Sequence, residues 1–347
     1  MLDSDRVPAA KVMFRLPHAE KFTVLVQHAM PSSYDAIASL PSRPGYVIAP
    51  FRIAPESPLW LVEPDEIMER QLPQPPVPSM CLYTTDESEQ RAAYHDAFMQ
   101  VHRLLCESKA EKIVLSRQLN VQIDADSPAL VPEHLFYKAC RYAPNSFVAL
   151  WHIRPAGYWL VATPEPLLER RSGYWHTVAL AGTMPWEEKH SARWDCKNRE
   201  EQAIVARFIA AQLSRYADEF RQSEPYTLRA GNIRHLCTDF IFSLPSGESV
   251  PALLQSLHPT PAVCGLPREQ ARRAIVTYET APRLYYAGFS GPLDLCGNTS
   301  LYVSLRCMHF GSHCATLHAG GGIMPTSTET AEWVETQRKM HTMMQLF

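Results

Sequence analysis

Leu317–Lys339 reads LHAGGGIMPTSTETAEWVETQRK, and the rest of the chain is interpreted outward from it. A short apolar, strand-like start meets Gly320, Gly321 and Gly322, after which the pattern predicts a helix carrying Glu332, Glu335 and Lys339. Consecutive glycines leave backbone N–H groups unobstructed and permit positive φ, so this spacing predicts a break in the strand that an anion can approach closely. Intervals of three and four residues place both carboxylates and the lysine along one helical face. An anion cradle beside paired carboxylates is the pattern of a site where a divalent cation meets an acidic ligand. A glycine turn followed by a solvated charged helix is the plainer alternative.

The chain has 347 residues, enough for one large domain or two with a substantial core. With 46% hydrophobic and 20% charged residues, it has the composition of a soluble globular protein. A formal net charge of −3 gives no reason to expect nucleic acid or an anionic membrane as partner. No apolar run approaches the roughly 18 residues of a membrane span. Residues 1–22 lack the uninterrupted apolar core of a secretory signal, and the expected location is the cytoplasm. The nine cysteines form no CxxC pair and read as reduced, packed thiols rather than a zinc site or disulfide framework.

Residues 1–75 mix strand-like runs (KFTVLVQH from Lys21, GYVIAPF from Gly45) with proline-rich connectors such as Leu72–Pro78, and show scaffold rather than chemistry. Asp86–Lys109 has helical spacing, and Lys112–Ile123 alternates as a strand opened by Lys112. A hairpin of Phe147–Ile153 and Tyr158–Thr163 delivers Thr163-Pro164-Glu165-Pro166, in which Glu165 is held between two prolines with few backbone options. That stiffness suits a general acid or an ordinary turn. Asp195–Arg215 is the clearest helix, and its apolar stripe of Ile204, Val205, Phe208 and Ile209 includes Glu201. A carboxylate on an apolar face is costly unless paired, protonated or metal-bound, which marks Glu201 as a cation-ligand candidate. Thr227–Leu244 is expected to pass from strand to helix, and Val250–Leu257 and Arg268–Tyr278 to be helical. His258 projects from the rigid loop LHPTPAVCGLP. Ser300–Phe310 alternates strictly as one strand, with Arg306 on the polar face, suited to a carboxylate ligand or a structural ion pair.

Taken together, these segments resemble the chorismate-utilising enzymes, the family of isochorismate, salicylate, anthranilate and aminodeoxychorismate synthases. The resemblance runs through residues 90–347 in unbroken order: KIVLSR from 112, ATPEPLL from 162, LAGT from 180, KNREEQAIV from 197, RHLCT from 234, LHPTPAVCGLP from 257, YYAGFSG from 285, VSLR from 303, and AGGGI through EWVETQRK from 319 to 339. It implies an α+β fold in a single chorismate-binding domain over 1–347, with antiparallel sheets packed face to face and helices outside. Within it, 1–85 would form a scaffold portion and 90–347 a catalytic core. It also implies roles. Glu201 and Glu335 match the carboxylates that hold Mg2+, with Glu332 nearby. Arg306 and the amides of Gly320, Gly321 and Gly322 match groups that bind the substrate's carboxylates, with Tyr286, Lys339, His258 and Thr183 of the LAGT turn also on the substrate side. Lys112 and Glu165 match the general base and general acid.

Members of this family that add ammonia carry glutamine where this chain has Lys112, and aminodeoxychorismate synthases commonly carry a nucleophilic lysine where it has Ala181. The resemblance therefore implies water addition to chorismate without a glutamine amidotransferase partner. Isochorismate synthase, for menaquinone or a catechol siderophore, is the expected activity. A salicylate synthase or a non-catalytic chorismate-binding protein are the alternatives. The chain departs from the family pattern at Gln202, where histidine is usual, at Cys264, and in Phe289-Ser290-Gly291-Pro292.

Overall fold

The structure is a computed structural model that describes all residues except 1–6, 74–82, 85–86, 123–131, 187–192, 231–232, 246–248 and 312–313. Most of the expected connector at Leu72–Pro78 and one cysteine, Cys81, lie outside the described residues.

Two ten-stranded sheets dominate, and every pairing is antiparallel. The first runs from Gly265–Leu266 through Lys112–Gln122, Cys314–Ile323, Cys307–Phe310, Gly157–Thr163, Phe147–Ile153, Ala10–Arg15 and Lys21–Gln27 to Glu66–Gln71, with Tyr83–Thr84 also beside Lys112–Gln122. The second runs from Glu219–Gln222 through Ile233–Ser243, Tyr174–Pro185, Pro166–Arg171, Ser300–Val303, Phe289–Leu293, Gly45–Ala49 and Leu59–Val62 to Ser32–Tyr34, with Tyr226–Ala230 also on Ile233–Ser243. The sheets face each other across one apolar core rich in aromatic rings. Phe147 of the first sheet stacks on Tyr302 of the second at 4.5 Å between centroids, and Trp151 and Trp159 stack beside Tyr285. A second core lies outside the first sheet, under the Pro132–Tyr142 helix and the end of the Glu329–Met344 helix, and includes Phe136, Leu119, Met340 and Met343.

Residues 10–71 are woven into both sheets, and they also reach the later chain through side chains. Trp60 Nε1–H donates to the Tyr285 hydroxyl at 2.8 Å. Of the cysteines, all eight described are free thiols, but Cys106, Cys196 and Cys296 are exposed, so the expectation of packed thiols holds only for some.

Three local expectations are corrected. Gly320–Gly322 do not break the strand. They lie inside Cys314–Ile323, opposite Ser116, Leu115 and Val114, and none has positive φ. Thr227–Leu244 contains two strands and no helix, because the apolar run pairs on both edges. Ser300–Phe310 is two strands in different sheets, Ser300–Val303 and Cys307–Phe310, and Arg306 occupies the left-handed region at φ 46° in the crossing between them. Alternation alone could not reveal the change of sheet, since both halves bury apolar side chains.

Candidate active site

The chemistry sits where the chain changes sheets. Thr163 ends a strand of the first sheet and Pro166 starts one of the second, so Glu165 occupies a crossing. Ser304–Arg306 is the reverse crossing, and the two lie side by side: Val303 N–H donates to Glu165 O at 3.0 Å, and Ala162 N–H to Arg306 O at 3.1 Å. The prolines on either side of Glu165 and the ladder on both flanks restrict its backbone, and its side chain lines a cleft between the sheets. Of the expected residues, Glu165, Thr183, Glu201, Tyr286, Arg306, Gly320, Gly322 and Lys339 line that cleft.

Within it Glu165 is only 4% exposed. Burial pushes its carboxyl up to about 7, against the opposing pull of Lys112, Arg306 and Lys339. Burial likewise brings the Arg306 guanidinium down to about 10. Lys339 spans the glycine edge, with Nζ 2.7 Å from Glu335 Oε1 and donating to Gly320 O at 2.8 Å. Because backbone groups alternate direction along a strand, the Gly320 and Gly322 amides share the open side that this carbonyl faces, whereas Gly321 faces its neighbour strand. Gly321 accordingly does not line the cleft.

The glycines are required by what lies over them. A Cβ at Gly322 would sit 2.2 Å from Glu201 Oε1 and 2.8 Å from Lys112 Cε, one at Gly321 would sit 2.9 Å from Glu332 Oε2, and one at Gly320 would sit 2.9 Å from the Tyr286 hydroxyl. Lys112 is fully buried directly behind this wall, with Nζ 2.9 Å from Glu201 Oε1. Glu201 belongs to the Cys196–Tyr216 helix, whose N-cap Asp195 accepts from Asn198 N–H. Although burial pushes its carboxyl up, Lys112 and Lys197 hold it below the usual range.

Glu332 is pushed up by burial and by Glu335, and it pairs with Lys197 and accepts from Ser327. Lys197 is lowered by burial but raised overall by Glu332, Glu201 and Glu335, so it senses all three carboxylates. Each of the three pairs with a lysine, and no ready-made metal cluster of His, Cys, Asp or Glu exists among the described residues. Their donor set nevertheless fits a hard divalent cation. Glu332 Oε2 and Glu335 Oε1 lie at the side-chain position of Gly321 and Glu201 Oε1 at that of Gly322, and Glu332 Oε2 is buried without a hydrogen-bond partner.

His258 is not brought to the cleft. Its Nε2–H donates to Pro50 O at 3.1 Å and its ring meets Phe289 edge-on, which anchors the proline loop to the N-terminal strands. From that loop it is Ala262 and Val263 that line the site. Sequence reasoning missed His235, which lines the cleft and bridges the LAGT turn to Arg306: Nδ1 is 2.8 Å from Gly182 O, and Nε2 is 2.7 Å from an Arg306 nitrogen. The only signal was a histidine in an apolar strand, ordinarily a satisfied core residue. Asn198 was missed as well. It receives Thr183 N–H at 3.0 Å and so ties the LAGT turn to the helix that bears Glu201.

Two face-to-face antiparallel sheets, with Arg306 and Lys339 set beside Glu165 and Glu201 in a cleft at their crossings, define an α+β protein with a polar site between its sheets. The chain matches the model of the chorismate binding enzyme family over residues 59–347, and it belongs to that family. Isochorismate synthase EntC of Escherichia coli K12 is 30% identical over 250 residues, covering 69% of this chain and 63% of that protein, so the match spans less than two thirds of the relative's length. The solved structure of DhbC from Bacillus anthracis superposes with a TM-score of 0.84 at 23% identity, covering 99% of this chain and 97% of that one. MenF, the menaquinone-specific isochorismate synthase of Escherichia coli, gives 0.79 at 21% identity over 99% and 89%.

Proposed function

We propose that this protein is an isochorismate synthase, converting chorismate to isochorismate by adding water at C2 and releasing the C4 hydroxyl. The observation that carries this reading is Glu165, a buried carboxyl pushed up to about 7, which shares one cleft with Arg306, Lys339 and Glu201, the last paired with the fully buried Lys112. A carboxyl that keeps its proton near neutral pH can donate it to a leaving hydroxyl.

In this mechanism Arg306, Lys339 and the outward amides of Gly320 and Gly322 hold the two carboxylates of chorismate. Lys112 takes one proton from water while the oxygen bonds to C2. The ring double bonds shift, the C4–O bond breaks, and Glu165 passes its proton to the departing hydroxyl, which leaves as water. Exchange with solvent then returns one proton to Glu165 and removes one from Lys112. Glu201 and Glu335, with Glu332 behind them, would hold Mg2+, which when bound supplies positive charge beside the ring carboxylate. Support for water rather than ammonia is the lysine at position 112 and the buried Ala181 at the cleft wall.

Incubation of the purified protein with chorismate and Mg2+, with products resolved over time, tests the reading. Isochorismate approaching equilibrium with chorismate, without pyruvate, is the expected result. Equal amounts of salicylate and pyruvate would reassign it to the elimination activity, and bound but unaltered chorismate would make it a binding protein. Isochorismate made in this way would feed either menaquinone or a catechol siderophore.

A further inference from the structure

Arg306 is a buried cation in an unusual setting. Among the described residues no carboxylate lies within ion-pair distance of it, and the side chain it touches is the His235 imidazole at 2.7 Å. Of the other charged groups of the cleft, Glu201 is engaged with Lys112 and Lys339 with Glu335, while Glu165, whose carboxyl burial pushes up to about 7, acts on Arg306 only from beyond ion-pair distance. From this geometry we infer that His235 is a positioning residue that holds Arg306 in place through a neutral acceptor, leaving the full guanidinium charge for a carboxylate of the ligand.

The tautomer follows from the two contacts. Arg306 has only donors, so the nitrogen facing it, Nε2, must accept. Nδ1 then carries the proton and donates to Gly182 O at 2.8 Å. Burial, together with Arg306 and Lys339, keeps the imidazole well below its ordinary value, in agreement with a neutral ring. Gly182 is itself fixed: its φ of +72° favours glycine, and a Cβ there would meet the Asn198 side chain at 3.1–3.2 Å. Arg306 is therefore aimed through His235 from the LAGT turn, and from there through Asn198 from the Glu201 helix. An aspartate or glutamate in place of the histidine would orient the guanidinium as well but would cancel its charge, and the cleft would lose its attraction for an anion.

This inference rests on chorismate, or another small carboxylate, being the ligand, and the tests separate it from that reading. In the full chain labelled with 15N-histidine, with the His235 resonance assigned by its loss in His235→Gln, the ring should stay in the Nδ1–H tautomer and not titrate between pH 5.5 and 8.5. An Nε2–H tautomer or a titration in that range would overturn the inference whatever the protein's activity. In kinetics and calorimetry with chorismate, His235→Gln, which keeps an acceptor, should remain within about threefold of the parent KM. His235→Glu should raise KM and Kd about tenfold or more, with a smaller change in kcat. Equal losses in the two variants with an equal fall in melting temperature would show that the histidine only fills space, and would overturn it.

Discussion

Glu165 shows how little of a residue's chemistry is its own. An ordinary carboxyl titrates near 4.5, but in the cleft burial carries it to about 7. The proposed acid role needs its protonated form, so this group should give the pH–rate profile a limb on which kcat falls as pH rises through about 7. The same shift makes folding stability attributable to this group full below 4.5 and lost as pH rises through about 7. Glu165→Gln should lower kcat by about 10²–10⁴-fold, the usual range for a positioned acid, and flatten that limb of the pH–rate profile. A profile that keeps the limb would assign it to another group. Gly322→Ala tests the wall opposite. Its Cβ would fall 2.2 Å from Glu201 Oε1, the end of a side chain, and 2.8 Å from Lys112 Cε. These groups give way more readily than backbone does, so turnover should drop at least tenfold while the melting temperature moves by only a few degrees.

Elements carry these residues only because their ends are specified. Asp195 caps the Glu201 helix and accepts from both the backbone and the side-chain nitrogens of Asn198, whose oxygen in turn holds Thr183 N–H. Asp195→Ala should cost about 1 kcal/mol of stability. Because it also releases Asn198, it should raise KM for chorismate, which steady-state kinetics and urea unfolding would separate. Gly288→Ala is the contrasting case. Its Cβ would lie 2.0 Å from Ala49 O, a backbone atom in the sheet, so the strands must separate. A loss of about 3 kcal/mol or more is expected by urea unfolding, in line with overpacked core sites. An unfolding midpoint equal to the parent's would mean that the loop absorbs the methyl group.

At the scale of the molecule, the catalytic parts arrive from distant stretches of chain, and two consequences follow. Residues 10–71 supply three strands to each sheet, and their Pro50 carbonyl fixes His258 at the proline loop. Removal of residues 1–71 should therefore yield insoluble or unfolded protein rather than an active core, because it exposes two sheet edges and the aromatic core that Phe14, Tyr46 and Trp60 help to fill. A soluble, active fragment would show that the N-terminal strands are dispensable. Carboxylates from two helices flank the glycine strand and all three act on Lys197; in the proposed mechanism they hold Mg2+, so a chelator should abolish turnover and Mg2+ restore it. Glu335→Ala should raise the Mg2+ requirement about tenfold or more, and an unchanged requirement would place the metal elsewhere.

Read by itself, the sequence determined the alternating strand from Lys112, the hairpin strand from Phe147, the helix after Asp195 with Glu201 on its buried stripe, and the order of motifs that identifies the family. These are local: period, capping and residue type act within one element. The tertiary structure decided what depends on contacts between elements. It kept Gly320–Gly322 in an unbroken strand because carboxylates, lysine and tyrosine crowd the positions of their missing side chains, a constraint that no backbone preference signals. It divided Ser300–Phe310 between two sheets and set Arg306 at the crossing. It also turned His258 towards Pro50 and brought in His235 as the partner of Arg306. Alternation states which face a side chain takes, but only packing states which sheet it faces and which residue meets it there.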